Sequence, residues 1–294
     1  MHLEEPVRPP VEGGHALPGC YRHPERETGV GCVRCGRPIC PQCMVSASVG
    51  FQCPECVQDA APHRSRPTGR FGGLPAGDGA VVTKVLIGLN VLVFLLTEYL
   101  DPSWKMRLGL FSYVPVPGVR LGVAGGPEDW YRLLTAMFVH GGVVHIAMNM
   151  VSLWVLGPQL ERVLGRVRFL ALYLVSGLVG NGLAYLVSGS ALYSVGASGA
   201  IFGLLGATVV LFRLNRVPLG PVVALLVFNL VITFSVSGID WRAHIGGLVA
   251  GAVTAVGMMY APRARRDVVQ SLTVAGMLGV TVLLVLLGTA RLSG

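Results

Sequence analysis

Two side chains in the apolar part of the chain have the chemistry of a nucleophile and its base, Ser198 and His244. A serine hydroxyl is a weak nucleophile until a neighbouring base takes its proton, and histidine is the usual base near neutral pH. Ionisable groups are costly in a long apolar region, so those that occur there are functional candidates. The pair predicts attack by Ser198 on a carbonyl carbon, with His244 as general base.

Attack on a carbonyl creates an oxyanion, which needs hydrogen-bond donors that are already in place. His145 and Asn149 are spaced i, i+4, so they project from one face of a helix. We expect these two side chains and the backbone N–H of Ser198 to stabilise the oxyanion. No carboxylate stands where it would orient His244, so the residues predict a serine–histidine dyad.

Glycines accompany both candidate catalytic residues, two of them around Ser198 and two following His244 with a spacing of four. This spacing lets two helices approach closely, and we predict that the serine-bearing helix is the partner of the histidine-bearing one. Plain helix packing also explains the glycines, but it leaves His244 unpaired at membrane depth. The four glycines are Gly196, Gly199, Gly247 and Gly251.

The composition indicates a membrane as the solvent of most of the chain. Of 294 residues, 52% are hydrophobic and 13% are charged, and the mean hydropathy is +0.63. Beyond residue 80, apolar runs recur that are long enough to cross a hydrocarbon core about 30 Å thick as helices. The predicted spans are about 81–100, 138–157, 168–187, 194–212, 219–237, 242–260 and 271–290.

The depth of the polar residues in the membrane distinguishes candidate catalytic residues from residues that only hold helices together. Spans two, four and six enter from the same face, which places Ser198, His145 and His244 roughly 3–11 Å from that boundary at helical rise. We interpret Asn181 and Asn229 as packing residues. The polar residues inside predicted spans are His140, His145, Asn149, Asn181, Ser198, Asn229 and His244.

Positive charge sets the expected orientation. Arginine and lysine collect before span one and after spans two, four and six, which lie on one side if the N-terminus is cytoplasmic and the C-terminus outside. No apolar segment follows Met1, so we expect no secretory signal. The formal charge of +8 is explained by these loops, so nucleic acid is not an expected partner. The excess of arginine over lysine, with abundant Ala, Gly and Val, favours a bacterial plasma membrane.

The loop 101–137 is long and carries several aromatic residues among Gly and Pro. Aromatic side chains favour the membrane interface, so the loop is either partly immersed or an ordinary loop with a few interfacial anchors. The sequence leaves both interpretations open.

The first part of the chain holds all seven cysteines. Together with one histidine they form four pairs, and two residues lie between the members of each pair. Such a turn directs two ligands at one metal ion, and eight ligands suffice for two closed structural zinc sites. Disulfides are the alternative, but they need an oxidising compartment and do not explain the spacing of the histidine. The ligands are Cys20, His23, Cys32, Cys35, Cys40, Cys43, Cys53 and Cys56.

This pattern resembles double-zinc cross-brace modules of the B-box kind, in which alternate pairs share an ion. The resemblance implies that Cys20 and His23 join Cys40 and Cys43, and that the other four cysteines form the second site. Three purposes stay open for such a module: recruiting a cytoplasmic partner, sensing metal or redox state, and anchoring the enzyme.

Residues 81–260 resemble the rhomboid intramembrane serine proteases. The match rests on His145-x-x-x-Asn149, Gly196-Ala-Ser198-Gly199 and Ala243-His244-x-x-Gly247-x-x-x-Gly251, in the family's order and spacing. The resemblance implies an all-α bundle of six membrane helices, followed here by a seventh. It also implies a catalytic dyad of Ser198 and His244, oxyanion support from His145 and Asn149, no catalytic metal, and transmembrane proteins as substrates, cut near a helix end.

Secondary matches to the family imply structural support from Arg132, His140 and Glu161. Two positions depart from the pattern. Tyr131 precedes Arg132 where the family has tryptophan, and Phe202 stands where some members have a tyrosine that stacks on the catalytic histidine. Both departures keep an aromatic ring, so we expect activity.

Two other functional classes are less consistent with these residues. Inactive rhomboid-like proteins bind membrane clients but lose the serine or the histidine, and this chain keeps both. A transporter or channel would show charged residues near mid-membrane or broken helices in repeated halves. The predicted domains are a cytoplasmic zinc-binding domain (1–62), a flexible linker (63–80), a protease core (81–260), and a basic loop with a seventh transmembrane helix (261–294).

Overall fold

The computed structural model divides the chain into two compact units, residues 1–66 and 67–294. It describes residues 17–60, 69–72, 79–112, 114–116, 119–188, 193–235 and 239–293. Most of the predicted linker 63–80 and the first 16 residues of the predicted zinc-binding domain lie outside the described residues.

The N-terminal unit is built from short elements. A 3-10 turn covers Pro41–Cys43, strands β1 (Val45–Ser46) and β2 (Phe51–Gln52) pair antiparallel, and helix α1 covers Pro54–Ala60. Its buried hydrophobic cluster consists of cysteines and Ile39. A core this small does not stabilise a domain by hydrophobic burial alone, so a unit of this kind needs metal sites or cross-links.

The second unit is a bundle of apolar helices, and each predicted span overlaps one of them. Among the residues that the structure describes, five helices are long and apolar enough to cross a membrane, and α7 and α8 are shorter. The helices are α2 (Val81–Leu95, continued by a π-helical turn over Leu96–Leu100), α5 (Val143–Leu164), α6 (Arg166–Ser188), α7 (Ser198–Leu214), α8 (Gly220–Ser235), α9 (Trp241–Met259) and α10 (Arg266–Ser293). Together with the short α3 (Ser103–Leu108) and α4 (Arg132–Thr135), they make this unit mostly helical, as predicted.

The second predicted span, 138–157, has the wrong limits. Helix α5 begins at Val143, after Gly141 and Gly142, and Gly142 has the extended φ of 165°. It continues through Pro158 and ends before Gly165, whose φ of 81° favours glycine. His140 therefore lies before the helix and not inside it as predicted.

The described parts of the segment 101–137 form regular structure. It contains α3, the strand β3 (Leu110–Phe111), the paired strands β4 (Val114–Val116) and β5 (Val119–Leu121), two 3-10 turns (Val123–Gly125 and Pro127–Asp129) and α4. Strand β3 pairs antiparallel with β6 (Tyr193–Ser194), the strand that precedes α7. This pairing fixes the chain just ahead of Ser198.

Helices α6, α7 and α9 form the interior of the bundle. The apolar stretches of α6 and α9 are 61% and 56% buried inside the bundle, whereas the apolar stretch that includes α10 is only 17% buried. Glycines make the contact between α7 and α9, since a Cβ atom at residue 247 or 251 would collide with the carbonyl oxygen of Gly199 or Gly203. The predicted pairing of the serine-bearing and histidine-bearing helices is confirmed.

Candidate active site and metal clusters

Ser198 and His244 meet although 46 residues separate them in the chain. The Ser198 Oγ lies 2.7 Å from the His244 Nε2. Ser198 is the first residue of α7, and His244 stands in the first turn of α9, whose N-cap Asp240 accepts a hydrogen bond from the Arg242 backbone N–H. The distance is a normal hydrogen bond, so a proton can pass directly from the hydroxyl to the imidazole.

The imidazole of His244 is 6% exposed and is held on two further sides. The ring of Phe202 stacks on it, with 4.3 Å between centroids and 14° between planes. The Thr233 Oγ1 lies 2.8 Å from its Nδ1. Phe202 occupies the stacking position noted from the sequence, whereas Thr233 was not predicted.

His145 and Asn149 line the same cavity as Ser198 and His244. The His145 Nδ1 accepts a hydrogen bond from the Gly141 backbone N–H at 3.3 Å, which leaves the ring proton on Nε2. The Asn149 Nδ2 is buried and has no hydrogen-bond partner among the described residues. Two N–H donors are thus available beside the serine.

Two features of the structure require a glycine at position 196. Its φ is +124°, which a residue with a Cβ atom rarely adopts. A Cβ atom there would also lie 2.7 Å from the His145 Nε2 and 3.5 Å from the Asn149 Nδ2. The glycine therefore keeps open the space between the two donors and the start of α7.

The cavity has a volume of about 500 Å³ and lies between α5, α7, α8 and α9. This is within the range of ligand-binding pockets. Besides the polar residues, apolar side chains such as Met148, Ile201 and Ile232 line it.

The candidate residues share one layer, although the predicted depths of His145 and Ser198 were too large, since Ser198 was expected about four residues inside its span. His145 was expected about seven residues inside its span, but it is the third residue of α5 because that helix begins later than predicted. Ser198 is the first residue of α7 and His244 the fourth of α9. All three stand within the first turn or so of their helices, within about 5 Å along the axis.

Arg132 ties together the segment before α5. Its guanidinium is buried, and the Nε donates to the Asp129 Oδ1 at 2.9 Å. Its Nη1 donates to the carbonyl oxygens of Met106 and Arg107, both at 2.7 Å. Arg132 is outside the catalytic cavity, so its place in the structure suits a supporting role.

Glu161 and His140 lie at different ends of α5. The Glu161 carboxylate accepts hydrogen bonds from the backbone N–H groups of Val82 and Thr83, at 2.9 and 2.8 Å, and so caps the start of α2. His140 is fully buried, with its Nδ1 3.2 Å from the Phe138 carbonyl oxygen and its ring centroid 5.1 Å from that of His145. Neither residue contacts Ser198.

Asn181 and Asn229 use their amides within the bundle. The Asn181 Nδ2 donates to the Leu133 carbonyl oxygen at 2.8 Å, and the Asn229 Nδ2 donates to the Leu225 carbonyl oxygen at 2.8 Å. The Asn181 bond joins α6 to α4, as expected of a packing residue, whereas the Asn229 bond stays within α8 and Asn229 lines the cavity, so its interpretation as a packing residue stays a prediction.

The cysteines and the histidine of the N-terminal unit form two groups of four ligands. Within each group the ligand atoms lie within 4.8 Å of one another, and the two groups alternate along the chain as the cross-brace arrangement implies. All seven cysteines are free. The groups are Cys20, His23, Cys40 and Cys43, and Cys32, Cys35, Cys53 and Cys56.

The distances within these groups suit a tetrahedral zinc ion. Sulfurs bound to zinc at 2.3 Å in a tetrahedron lie about 3.8 Å apart, and the Sγ atoms of Cys35 and Cys53 are separated by 3.8 Å. The His23 Nδ1 lies 3.4 Å from the Sγ of Cys40 and 3.4 Å from that of Cys43. A disulfide would bring two sulfurs to about 2.05 Å, so these separations fit metal ligands and not disulfides.

Electrostatics also favours a cation in the group that contains Cys20 and Cys43. Burial raises the pKa of the Cys20 thiol, but hydrogen bonds from backbone groups, first that of Cys40, outweigh it and lower the pKa to about 6. Burial and the neighbouring thiols of Cys20 and Cys40 raise the pKa of Cys43 to about 11. One cysteine of the group therefore ionises readily, and its negative charge disfavours ionisation of a neighbouring cysteine. A bound divalent cation would offset this repulsion between thiolates.

Sequence reasoning missed Thr233. A threonine in an apolar helix is usually a local residue that bonds to its own backbone, so its type alone gave no signal. Its position four residues after Asn229 was the available hint, because both residues line the cavity.

Comparison with known proteins places the second unit in a family. The Rhomboid domain model matches residues 127–261, which include His145, Asn149, Ser198 and His244 but neither cysteine group. The chain is 36% identical to Rhomboid protease GluP of Bacillus subtilis over 183 residues, 60% of this chain but only 35% of GluP. It is 36% identical to RHOMBOID-like protein 5 of Arabidopsis thaliana over 230 residues, covering 67% of this chain and 74% of the relative. It is 30% identical to Rhomboid protease AarA of Providencia stuartii over 220 residues, covering 64% and 76%.

Proposed function

This chain belongs to the rhomboid family, and from that premise we propose that it is an intramembrane serine endopeptidase with Ser198 as nucleophile and His244 as general base. The chain is a multi-pass membrane protein, and relatives named as rhomboid proteases support proteolysis as its activity. The observation that carries the proposal is the 2.7 Å distance between the Ser198 Oγ and the His244 Nε2.

The first step of the proposed reaction is acylation. The Ser198 Oγ attacks the carbonyl carbon of a peptide bond while the His244 Nε2 takes the hydroxyl proton. The tetrahedral oxyanion accepts hydrogen bonds from the Asn149 Nδ2, the His145 Nε2 and the Ser198 backbone N–H. The imidazolium then gives its proton to the leaving amine.

Deacylation repeats these roles with water as the nucleophile. His244 takes a proton from the attacking water, the oxyanion forms at the same donors, and Ser198 recovers its proton as the carboxyl product leaves. No step needs a metal ion. The cysteine groups lie outside the matched Rhomboid domain, and we propose that Cys20, His23, Cys40 and Cys43 hold one structural zinc ion and the other four cysteines a second.

The proposed substrates are transmembrane proteins, cut near a helix end in the outer part of the bilayer. His145, Ser198 and His244 stand within the first turn or so of α5, α7 and α9, which supports cleavage near one membrane face. The proposed orientation has the N-terminus in the cytoplasm and the C-terminus outside a bacterial plasma membrane. A cytoplasmic partner of the N-terminal unit stays a prediction.

The test is cleavage of a single-span membrane protein in detergent by the wild type and by S198A, H244A and S176A. Ser176 is a fully buried serine of α6 whose hydroxyl bonds to the Leu172 carbonyl oxygen, so S176A is the matched control. We expect S198A and H244A to lose at least about a thousandfold in kcat and S176A to remain active. Cleavage that survives in S198A would overturn the proposal, whereas a wild type that binds the substrate without cutting it would favour a client-binding protein without catalysis.

A further inference from the structure

We propose that Thr233 of α8 is a positioning residue that holds His244 in the tautomer able to accept the serine proton. The inference rests on the proposed function. It adds a third member to the serine–histidine pair, from a helix that carries neither of them. The sequence predicted a dyad because no carboxylate was placed to orient the histidine.

The hydrogen bonds of Thr233 assign the positions of the protons. Its Oγ1 lies 2.7 Å from the Asn229 carbonyl oxygen, which can only accept, so the hydroxyl hydrogen points there. The same Oγ1 lies 2.8 Å from the His244 Nδ1. A hydroxyl has one hydrogen and two lone pairs, so the oxygen is left to accept from an Nδ1–H.

A proton on Nδ1 leaves the His244 Nε2 with its lone pair free. That lone pair faces the Ser198 Oγ at 2.7 Å and accepts the hydroxyl proton. In the opposite tautomer, the Nε2–H would point at the serine oxygen and block proton transfer, and Thr233 would have to give up its bond to Asn229. The hydroxyl of Thr233 therefore favours the reactive tautomer.

A neutral oxygen suits this place in the bundle. Thr233 is 3% exposed and His244 6% exposed, and an unpaired carboxylate there would carry a high desolvation cost. When the imidazolium forms, its Nδ1–H still donates to Thr233 and no second proton moves. With Phe202 stacked on the ring face, the ring is fixed in rotation as well as in tautomer.

The test compares kcat and KM for the wild type, T233V, T233S and T208V on one single-span substrate in detergent. Valine keeps the shape of threonine and removes the hydroxyl, whereas serine keeps the hydroxyl and removes the methyl. Thr208 of α7 is buried and bonds to the Leu204 carbonyl oxygen at 2.8 Å, and it does not line the cavity, so T208V is the matched control. S198A, measured alongside, tests the proposed function separately.

We expect T233V to lower kcat about 10- to 100-fold with KM nearly unchanged, because general-base catalysis weakens while binding does not. T233S and T208V should stay within about threefold of the wild type in kcat. A T233V enzyme with the kcat of T208V, or a T233S enzyme as slow as T233V at wild-type thermal stability, would overturn the assignment. If T233V does not fold, T233S decides, since a loss of tenfold or more in a folded T233S contradicts the role of the hydroxyl. Full cleavage by S198A would instead remove the proposed function itself.

Discussion

Gly247 of α9 packs directly on the backbone of Gly199 in α7. A Cβ atom at residue 247 would overlap the Gly199 carbonyl oxygen, and one at residue 199 would lie 3.2 Å from the Ala243 carbonyl oxygen. Gly199 follows Ser198, and Gly247 is three residues after His244. The same close contact that joins the helices therefore sets the distance between hydroxyl and imidazole.

We predict that G247A destabilises the protein by about 1–3 kcal/mol, since a methyl group there has to push two backbones apart. The loss is measured as a lower midpoint of thermal unfolding in detergent. Activity at low temperature should fall as well, because the serine moves away from its base. The matched control is G276A in α10, where a Cβ atom would meet nothing within 4 Å. An unfolding midpoint in G247A equal to that of G276A would contradict the packing.

The second prediction concerns the buried donor of Asn149. Its Nδ2 has no partner among the described residues, which suits a group that waits for a charge formed only during the reaction. We expect N149A to lower kcat about 10²- to 10³-fold, with a small change in KM, as for other oxyanion donors. N90A is the control, because Asn90 is fully buried in α2 and donates to the Leu86 carbonyl oxygen. If N149A and N90A lose kcat equally, Asn149 has no special part in the reaction.

Local spacing predicted the parts of the site that depend on one helix or one turn. The i, i+4 relation of His145 and Asn149 puts both in one cavity, and the four-residue spacing of Gly247 and Gly251 gave the partner helix. The two-residue separation of the cysteine pairs likewise led to two groups of four ligands. Periodicity carries the first of these relations, whereas the choice of α7 as the partner also used the position of Ser198, and the division of the eight ligands was implied by the cross-brace resemblance.

Features that depend on three-dimensional packing could not be read from the sequence. Helix α5 begins at Val143 because the backbone at Gly142 is extended, which apolar composition did not reveal. His140 was therefore placed inside a span. The contact of Thr233 with His244 depends on how α8 packs against α9, and no spacing in the chain encodes it.

The third prediction concerns the cap that Glu161 provides for α2. Its carboxylate accepts from two backbone N–H groups and from the Thr83 Oγ1 at 2.8 Å, and it is fully buried. E161Q replaces one acceptor with an NH₂ donor that faces these donors, so we expect a loss of about 1–3 kcal/mol in stability. Thermal unfolding and hydrogen exchange at the start of α2 measure it. E128Q, at an exposed glutamate, is the control and should not change either result.

E161Q should differ from the cavity variants in its kinetics. Glu161 lies near the end of α5 opposite to His145, so the folded fraction should keep its kcat. A large fall in kcat at temperatures where E161Q is fully folded would show that the cap also controls the catalytic cavity.

The fourth prediction is a metal count on the full chain. We expect two zinc ions per chain by elemental mass spectrometry, since two groups of four ligands fit tetrahedral sites. C20S and C32S each remove one ligand from a different group and should each lower the count to about one. S198A, purified in the same way, should keep both ions. A metal-free protein with a folded N-terminal unit would remove the zinc sites from the proposal.

The fifth prediction separates the two units by function. Every residue that lines the catalytic cavity belongs to the unit 67–294, and the cysteine groups belong to the other. A variant that lacks residues 1–62 should therefore cleave a single-span substrate in detergent with a kcat within about threefold of the full chain, because the dyad and the oxyanion donors are intact. In cells we expect the same deletion to change which substrates are cut, because any partner of the metal-binding unit is lost. Complete loss of cleavage by a folded deletion variant in detergent would show that the N-terminal unit is needed for the reaction itself.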